Sequence, residues 1–389
     1  MLSTPPELAI GTTPTAHFSA GSIARLPELI SAAGGQSALV VTDGALAATG
    51  VIAAVAELLS AARLPATVFS GVHSNPTTSD VAAGAAAAAG LLDAQPVVVA
   101  VGGGSPIDAA KGIALAAVNP QRGRDLDYRS DFAIPALPLV AVPTTAGTGA
   151  ETNAFGVVTD EDSRRKFYVG HATTMPTAAI LDPELTLGLP PGATAATGMD
   201  ALTHAIESYL SVRANPWSAG IALQVVRMVR EFLPRAYVDG ADLEARGQML
   251  LAAHMAGVAM ATTGLGACHA IGHALGGRFN VAHGVALTLV LPQVLSFNLP
   301  VSLERLADLA FALGAGETSA DANGNASAAI SAVAALAESV GMTHRLADLG
   351  ITSHDFAQIA ADAIDDEVLA NAPVKPSVGE IMGILAAVA

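Results

Sequence analysis

Two kinds of apolar patterning divide this chain. In the first half, short continuous apolar runs alternate with Ala-rich stretches. Ser37-Ala-Leu-Val-Val-Thr-Asp43, Ala66-Thr-Val-Phe-Ser70, Pro96-Val-Val-Val-Ala-Val101 and Leu137-Pro-Leu-Val-Ala-Val142 read as strands, with helices expected over Ala45–Ala62 and Asp80–Leu92. Strands that are apolar on both faces and alternate with helices predict a parallel sheet covered on both sides. From about residue 191 the pattern is helical, over Thr194–Leu210, Trp217–Phe232, Asp242–Ala261, Val285–Leu295 and Ser327–Val340. The double proline in Leu189-Pro-Pro-Gly192 stops regular structure. The expected organisation is therefore an α/β domain over residues 1–190 and an all-α domain over 191–389. Asp321-Ala-Asn-Gly-Asn-Ala326 is expected to be a surface loop, with Ser327 capping the helix that follows.

Composition narrows the class. With 52% apolar and 13% charged residues the chain belongs among compact globular proteins. A net charge of −16 opposes contact with phosphate backbones or anionic lipid, so neither nucleic acid nor membrane is an expected partner. The one cysteine, Cys268, excludes an intramolecular disulfide and fits a reducing, cytoplasmic compartment. The N-terminus lacks the basic and apolar regions of a secretory signal, and no uninterrupted apolar stretch approaches the roughly 20 residues of a membrane span.

Three loops at strand ends suggest nucleotide chemistry. Val101-Gly-Gly-Gly-Ser105-Pro106-Ile-Asp108 follows a strand and opens a helix. Ser105 is placed as N-cap, Pro106 at the first helical position and Asp108 as the other half of a capping-box-like pair. Glycines let backbone N–H groups approach an anion at a helix N-terminus, which suits a pyrophosphate, although the same turn also serves as a tight strand–helix connection. Asp43 ends a strand, where a carboxylate accepts from ribose hydroxyls or merely caps a turn. Pro143-Thr144-Thr145-Ala-Gly-Thr148-Gly-Ala-Glu151 ends another, with hydroxyls and glycines able to wrap a dinucleotide. In the basic cluster Arg164-Arg165-Lys166, the arginines read as a solvated hairpin tip and Lys166 as the residue that turns inward.

The second half carries metal chemistry. Asp200 and His204 lie four apart, on one helix face; His269 and His273 repeat that spacing, and His283 follows a Gly-Gly-Arg-Phe-Asn break that turns the chain back. A carboxylate and imidazoles converging from separate helices suit a first-row divalent ion. Other candidates take plainer roles. His254, His171 and His344 are expected as satisfied core residues and His17 as a surface one. Cys268 is expected as a small core residue, and Glu207 facing solvent or a partner helix. Arg278 is read as a surface salt bridge, with recognition of an anionic substrate group as the alternative.

Taken in order, these blocks resemble the iron-containing (group III) alcohol dehydrogenase family. The likeness rests on Gly102-Gly-Gly-Ser-Pro-Ile-Asp-Ala-Ala-Lys111, Pro143-Thr-Thr-Ala-Gly-Thr-Gly-Ala-Glu151, Ala179-Ile-Leu-Asp-Pro-Glu-Leu185, Gly198-Met-Asp-Ala-Leu-Thr-His-Ala-Ile-Glu207 and Gly264–Asn298. It implies a Rossmann-like dinucleotide-binding α/β domain followed by a helical metal- and substrate-binding domain, the dehydroquinate synthase-like architecture. It implies Asp200, His204, His269 and His283 as metal ligands and His273 near the nicotinamide and substrate but not bound to the ion; an imidazole there suits a proton relay near neutral pH. It also implies cofactor contacts from Asp43, Asn75, Gly103, Gly104, Ser105, Thr144, Thr145, Thr148 and Lys166, and a substrate pocket lined by Asn153, Phe155 and Met260. The implied activity interconverts a primary or small alcohol with its aldehyde or ketone. The expected cofactors are NAD(H) and Fe²⁺, with zinc second because four protein ligands close a tetrahedral zinc site. A homodimer paired near the N-terminus is expected.

The chain departs from the family pattern at Met260-Ala-Thr-Thr263, Arg278, Ala282 and Gly170-His171, which leaves the substrate open. The alternatives are a zinc-using polyol (glycerol-type) dehydrogenase or a dehydroquinate-synthase-like enzyme on the same fold, and a non-catalytic scaffold, which would show a broken ligand set.

Overall fold

The apolar runs of the first half build one sheet. In the computed structural model, which describes residues 13–120, 125–163 and 165–389, strands β1 (Thr15–Phe18), β2 (Ser37–Asp43), β3 (Ala66–Val72), β4 (Pro96–Gly102), β5 (Leu139–Pro143) and β8 (Ala178–Leu181) lie in the order β1-β8-β5-β4-β2-β3. Every neighbouring pair is parallel. The helices between them are α1 (Leu26–Ala32), α2 (Gly44–Ala47), α3 (Val51–Ala61), α4 (Thr78–Ala89) and α5 (Gly104–Ala116). Side chains alternate across the strands, so both sheet faces are apolar. Leu39, Val41, Val98, Ala100, Leu139 and Ala141 pack with residues of α4 and α5. Ala38, Val40, Val97, Val99, Val140 and Val142 pack with Leu26, Ile30, Val55 and Leu59 on the other face. A separate antiparallel hairpin, β6 (Phe155–Asp160) with β7 (Arg165–Gly170), abuts α5.

Strand order fixes where a ligand fits. The chain runs from β2 outward to β3, then returns to place β4 on the opposite side of β2. The connections diverge between β2 and β4, leaving a crevice at their carboxyl ends. Asp43 and the Gly102–Gly104 turn stand there, with Thr144 and Asn75 following the ends of β5 and β3.

Several sequence expectations change. The helix expected over Ala45–Ala62 is two, because Gly50 adopts φ 89° between α2 and α3. Helix α5 starts at Gly104 with Gly103 as N-cap, so Ser105 and Pro106 are its second and third residues and Ser105 caps nothing. Strands β1 and β8 had no sequence reading, being four residues each.

The described chain divides into two units between Leu189 and Pro190. The second contains α6 (Pro191–Leu210), α7 (Pro216–Val238), α8 (Leu243–Thr263), α9 (Ala267–Phe279), α10 (His283–Ala312), α11 (Ala322–Ser339), α12 (Phe356–Ile364) and α13 (Val378–Ala386). Helix α11 begins five residues earlier than expected. Asp321, not Ser327, caps it by accepting Gly324 N–H at 2.7 Å, so most of the expected loop is helix.

Helix α10 outruns its expected span of Val285–Leu295. Pro292 and Pro300 sit inside it, and it bends at Ser302 instead of stopping. By length and composition it is apolar enough to cross a membrane, although polar residues interrupt its sequence and half of its most apolar window is buried. It packs on α6, α9 and α11 as a core helix of this unit.

The contact of α10 with α6 is backbone-close. A Cβ on Gly284 would lie 2.0 Å from the Ala196 carbonyl oxygen, so only glycine lets the start of α10 rest on α6. Because Gly284 adjoins His283 and Ala196 precedes Asp200 by one helical turn, this contact sets their relative position. We expect Gly284→Ala to cost about 1–3 kcal/mol through forced displacement, read as a lowered thermal midpoint in calorimetry; an unchanged midpoint would refute the tight crossing.

Candidate metal centre and nucleotide-binding edge

Helix α6 carries Asp200, His204 and Glu207 at i, i+4 and i+7, which is one face. Helix α9 brings His269 and His273. Asn280, in the left-handed region at φ 53°, then reverses the chain so that His283 opens α10. Asp200, His204 and His269 are buried and His283 is partly exposed. One donor atom from each of the four lies within 4.8 Å of all the others. Asp200 Oδ1 stands 3.4 Å from His204 Nε2, 3.8 Å from His269 Nε2 and 3.7 Å from His283 Nε2.

Those separations suit an ion at their centre. Metal–ligand bonds of about 2.1 Å give tetrahedral ligand–ligand edges of about 3.4 Å. His269 Nε2 is buried and makes no hydrogen bond, which would leave a polar atom unsatisfied without an ion. One carboxylate oxygen and three imidazole nitrogens form a donor set suited to Fe²⁺ or Zn²⁺.

A second layer holds these side chains. The Glu207 carboxylate accepts from His269 Nδ1 at 2.6 Å and from the Cys268 backbone N–H at 2.8 Å. With Nδ1 engaged, the His269 ring turns Nε2 toward Asp200. Glu207 does face a partner helix, but what it meets there is a candidate ligand, a role its sequence reading omitted. Its place on the Asp200/His204 face was the signal that could have exposed it.

His273 Nδ1 pairs with Asp366 Oδ2 at 2.7 Å, and its ring stacks on His283 with centroids 5.5 Å apart. Burial works to raise the Asp366 carboxyl, but the His273 charge and hydrogen bond outweigh it and hold the group below the usual range. Nothing local in the sequence pointed to Asp366, 93 positions away. Cys268 is fully buried, and burial, then Glu207 and Asp200, push its thiol well above the usual value, as an unreactive core residue requires.

In the first unit the candidate nucleotide residues collect at one sheet edge. Thr144 N–H donates to Gly102 O at 2.9 Å, joining the loops after β4 and β5. Gly102 has φ 151°, and a Cβ on Gly104 would fall 2.7 Å from the Thr148 methyl, while one on Gly103 would fall 3.2 Å from Thr145. The turn therefore has room for backbone alone, which a close-lying pyrophosphate requires. Asp43 lies at the end of β2 and caps α2 through Leu46 N–H at 2.8 Å. Lys166 reaches across from the hairpin and donates to Asn75 Oδ1 at 3.0 Å. Arg164 lies outside the described residues, as does the side chain of Arg165.

Lys111 closes the Gly102–Lys111 motif, and sequence alone assigns it no role. It is fully buried, donating to Ala150 O at 2.7 Å, to Asn153 Oδ1 at 2.9 Å and to Phe155 O. Burial lowers its ammonium to about 8 against the opposing pull of Asp108 and Glu151. Burial raises Asp108 to about 6, against Lys111 and a hydrogen bond from Val157 N–H. Asp108 thus serves the hairpin and Lys111, not a cap.

The remaining candidates separate. Asn153 is buried with its oxygen on Lys111 and on Phe155 N–H at 3.1 Å, and Phe155 is half-buried. Met260 is buried on α8, in the helical unit. His254 is buried. His344 is exposed, contrary to its core reading, because it sits in an irregular segment after α11. His171 is only half-buried, and its ring accepts from Thr173 N–H at 3.3 Å. Arg278 bridges Asp362 at 2.5 Å.

Sequence comparison agrees with this geometry along the chain. The family description "Iron-containing alcohol dehydrogenase" matches residues 13–183, and "Fe-containing alcohol dehydrogenase family, C-terminal" matches residues 194–389. The "Probable alcohol dehydrogenase EutG" of Salmonella typhimurium is 39% identical over 368 residues, covering 94% of this chain and 91% of that protein. The "NAD-dependent methanol dehydrogenase" of Bacillus methanolicus is 35% identical over 372 residues, covering 96% and 97%. Among solved structures, the alcohol dehydrogenase from Oenococcus oeni superposes with a TM-score of 0.94 at 32% identity, covering 98% of this chain and all of that one. With both halves matched and the four-residue cluster in place, the chain belongs to the iron-containing alcohol dehydrogenase family.

Proposed function

We propose that this chain is an NAD(H)-linked oxidoreductase that interconverts a small alcohol and its aldehyde or ketone. Asp200, His204, His269 and His283 would hold one Fe²⁺, with Zn²⁺ as the second choice. The observation that carries the reading is the convergence of these four donors around the buried His269 Nε2. The NAD-dependent name of the Bacillus methanolicus relative supports the choice of nicotinamide. When bound, the ion supplies Lewis acidity toward a substrate oxygen and the nicotinamide supplies or accepts hydride.

The chain's own groups do the rest. Glu207 fixes the tautomer and direction of His269. Asp366 engages His273 Nδ1, so the proton released in alcohol oxidation is taken at His273 Nε2 and returned in reduction. Asp43 presents its carboxylate to the adenosine ribose hydroxyls and repels a 2′-phosphate. Gly103, Gly104 and Ser105 offer the α5 N-terminus to the pyrophosphate, while Thr144, Thr145, Thr148, Asn75 and Lys166 border it. Asn153, Phe155 and Met260 are assigned to the substrate region. Homodimerisation belongs to this reading; edge strand β1 supports it, with Phe18 42% exposed.

Elemental analysis of anaerobically purified protein, paired with NADH oxidation over a panel of aldehydes and ketones, tests the whole assignment. Iron near one equivalent with aldehyde turnover is expected. Zinc with turnover confined to polyols would favour the glycerol-type alternative, and no bound metal would overturn both. Glu207→Gln keeps an acceptor for Cys268 N–H while removing the charge on His269. Metal affinity should fall about 10–100-fold in chelator competition, with circular dichroism unchanged. His273→Ala should lower turnover about 100-fold or more without changing metal content; a wild-type rate with a wild-type pH profile would remove His273 from proton transfer.

A further inference from the structure

Helix α5 presents one continuous face to the chain that follows β5. Gly104, Asp108 and Lys111 stand at i, i+4 and i+7. Gly104 meets the Thr148 side chain at the helix start. One turn on, Asp108 Oδ2 accepts Val157 N–H at 3.0 Å, and a Cβ on Gly156 would lie 2.7 Å from Asp108 O. Another turn on, Lys111 extends its ammonium between the two ends of the link Ala150–Phe155. Its three N–H donors meet three acceptors: Ala150 O, Asn153 Oδ1 and Phe155 O. The Asp108 carboxylate lies 3.9 Å away and the Phe155 ring centroid 5.9 Å away.

A fully buried ammonium with every proton engaged is a clamp with a specific charge requirement. Its three partners flank the Thr144–Thr148 loop on one side and the hairpin bearing Lys166 on the other. We propose that Lys111 is a positioning residue for nucleotide binding, holding the threonine loop and the hairpin against the Gly103–Gly104 turn only while it carries its proton. This rests on the reading that those loops bind NAD(H).

The chemistry is directional. A neutral amine has two protons and a lone pair, so one of the three oxygens would face that lone pair and lose its donor. The charged groups around Lys111 are Asp108 from its own helix and Glu151 from the link, with Lys166 of the hairpin acting on Asp108. Burial has already brought the ammonium down to about 8, so the proton leaves as pH rises through that value. Cofactor affinity should accordingly be full near neutral pH and decline as pH rises through 8.

Fluorescence titration with NADH between pH 6.5 and 9.5 tests this on the wild-type chain and two variants, without any substrate. The wild-type Kd should rise several-fold between pH 7 and 9. Lys111→Met keeps the aliphatic stem and should weaken NADH binding about tenfold at pH 7, or about 1.4 kcal/mol, with no remaining inflection near pH 8. Asn153→Asp keeps both accepted hydrogen bonds and adds a charge that retains the proton, so its inflection should move to higher pH. A merely structural contribution from Lys111 would not produce opposite changes in the two pH profiles. Wild-type binding that is flat across pH 7–9, or an Asn153→Asp profile identical to wild type, overturns the proposal while leaving the cofactor reading intact. Failure of the wild-type chain to bind NADH at any pH overturns both.

Discussion

The helical unit is organised around one carboxylate oxygen. Asp200 Oδ1 faces three imidazole nitrogens from three helices at 3.4–3.8 Å, and two of those separations exceed ordinary hydrogen-bond reach. Such an arrangement has to be imposed by the scaffold, because nothing in the side chains themselves would assemble a buried acid and three rings. The imposition comes from backbone proximity. Gly284 lets α10 lie on α6, and a Cβ on Gly272 would strike the Leu287 side chain, so α9 and α10 are also closely fitted. The candidate donors are thus set by helix packing; Glu207 turns the His269 ring, and Asp366 orients the neighbouring His273.

The α/β unit solves a different problem, which is to bring loops from distant sequence to one edge. A parallel sheet does this automatically, since every strand ends on the same side. Register then does the finer work: Gly102 pairs with Pro143, so the glycine turn and the threonine loop leave the sheet side by side. The hairpin adds Lys166 from outside the sheet by lying against α5 and the loop that holds Asn75.

Most of this was legible in sequence where the signal is local. The runs Ser37–Asp43 and Pro96–Val101 are apolar on both faces and read as interior strands, and the Asp200/His204 and His269/His273 spacings place each pair on one face of a helix, as the structure has them. What escaped was short, bent or long-range. Thr15–Phe18 has a partly exposed pattern and four residues, too few to show a period. Ser105 looked like a cap because it precedes a proline, yet the glycine two places earlier takes that position. Helix α10 runs past the end expected at Leu295, with Pro292 and Pro300 inside it and a bend at Ser302. Glu207 meets His269 across 62 positions and Asp366 meets His273 across 93, and no local pattern encodes such pairs.

Asp43, assigned to the ribose only in the proposed function, is already tied to its scaffold. Its Oδ1 terminates α2 by accepting Leu46 N–H, a role worth about 1 kcal/mol at a helix start. Redesign toward a phosphorylated dinucleotide by introducing alanine or a basic residue at this position would therefore also unfasten the short helix behind it. Asparagine or serine would discharge the position yet retain an oxygen for the helix. On the proposed reading, in which Asp43 faces the ribose, cofactor preference would be constrained by local helix chemistry, and a change of nucleotide would pass most economically through small polar residues.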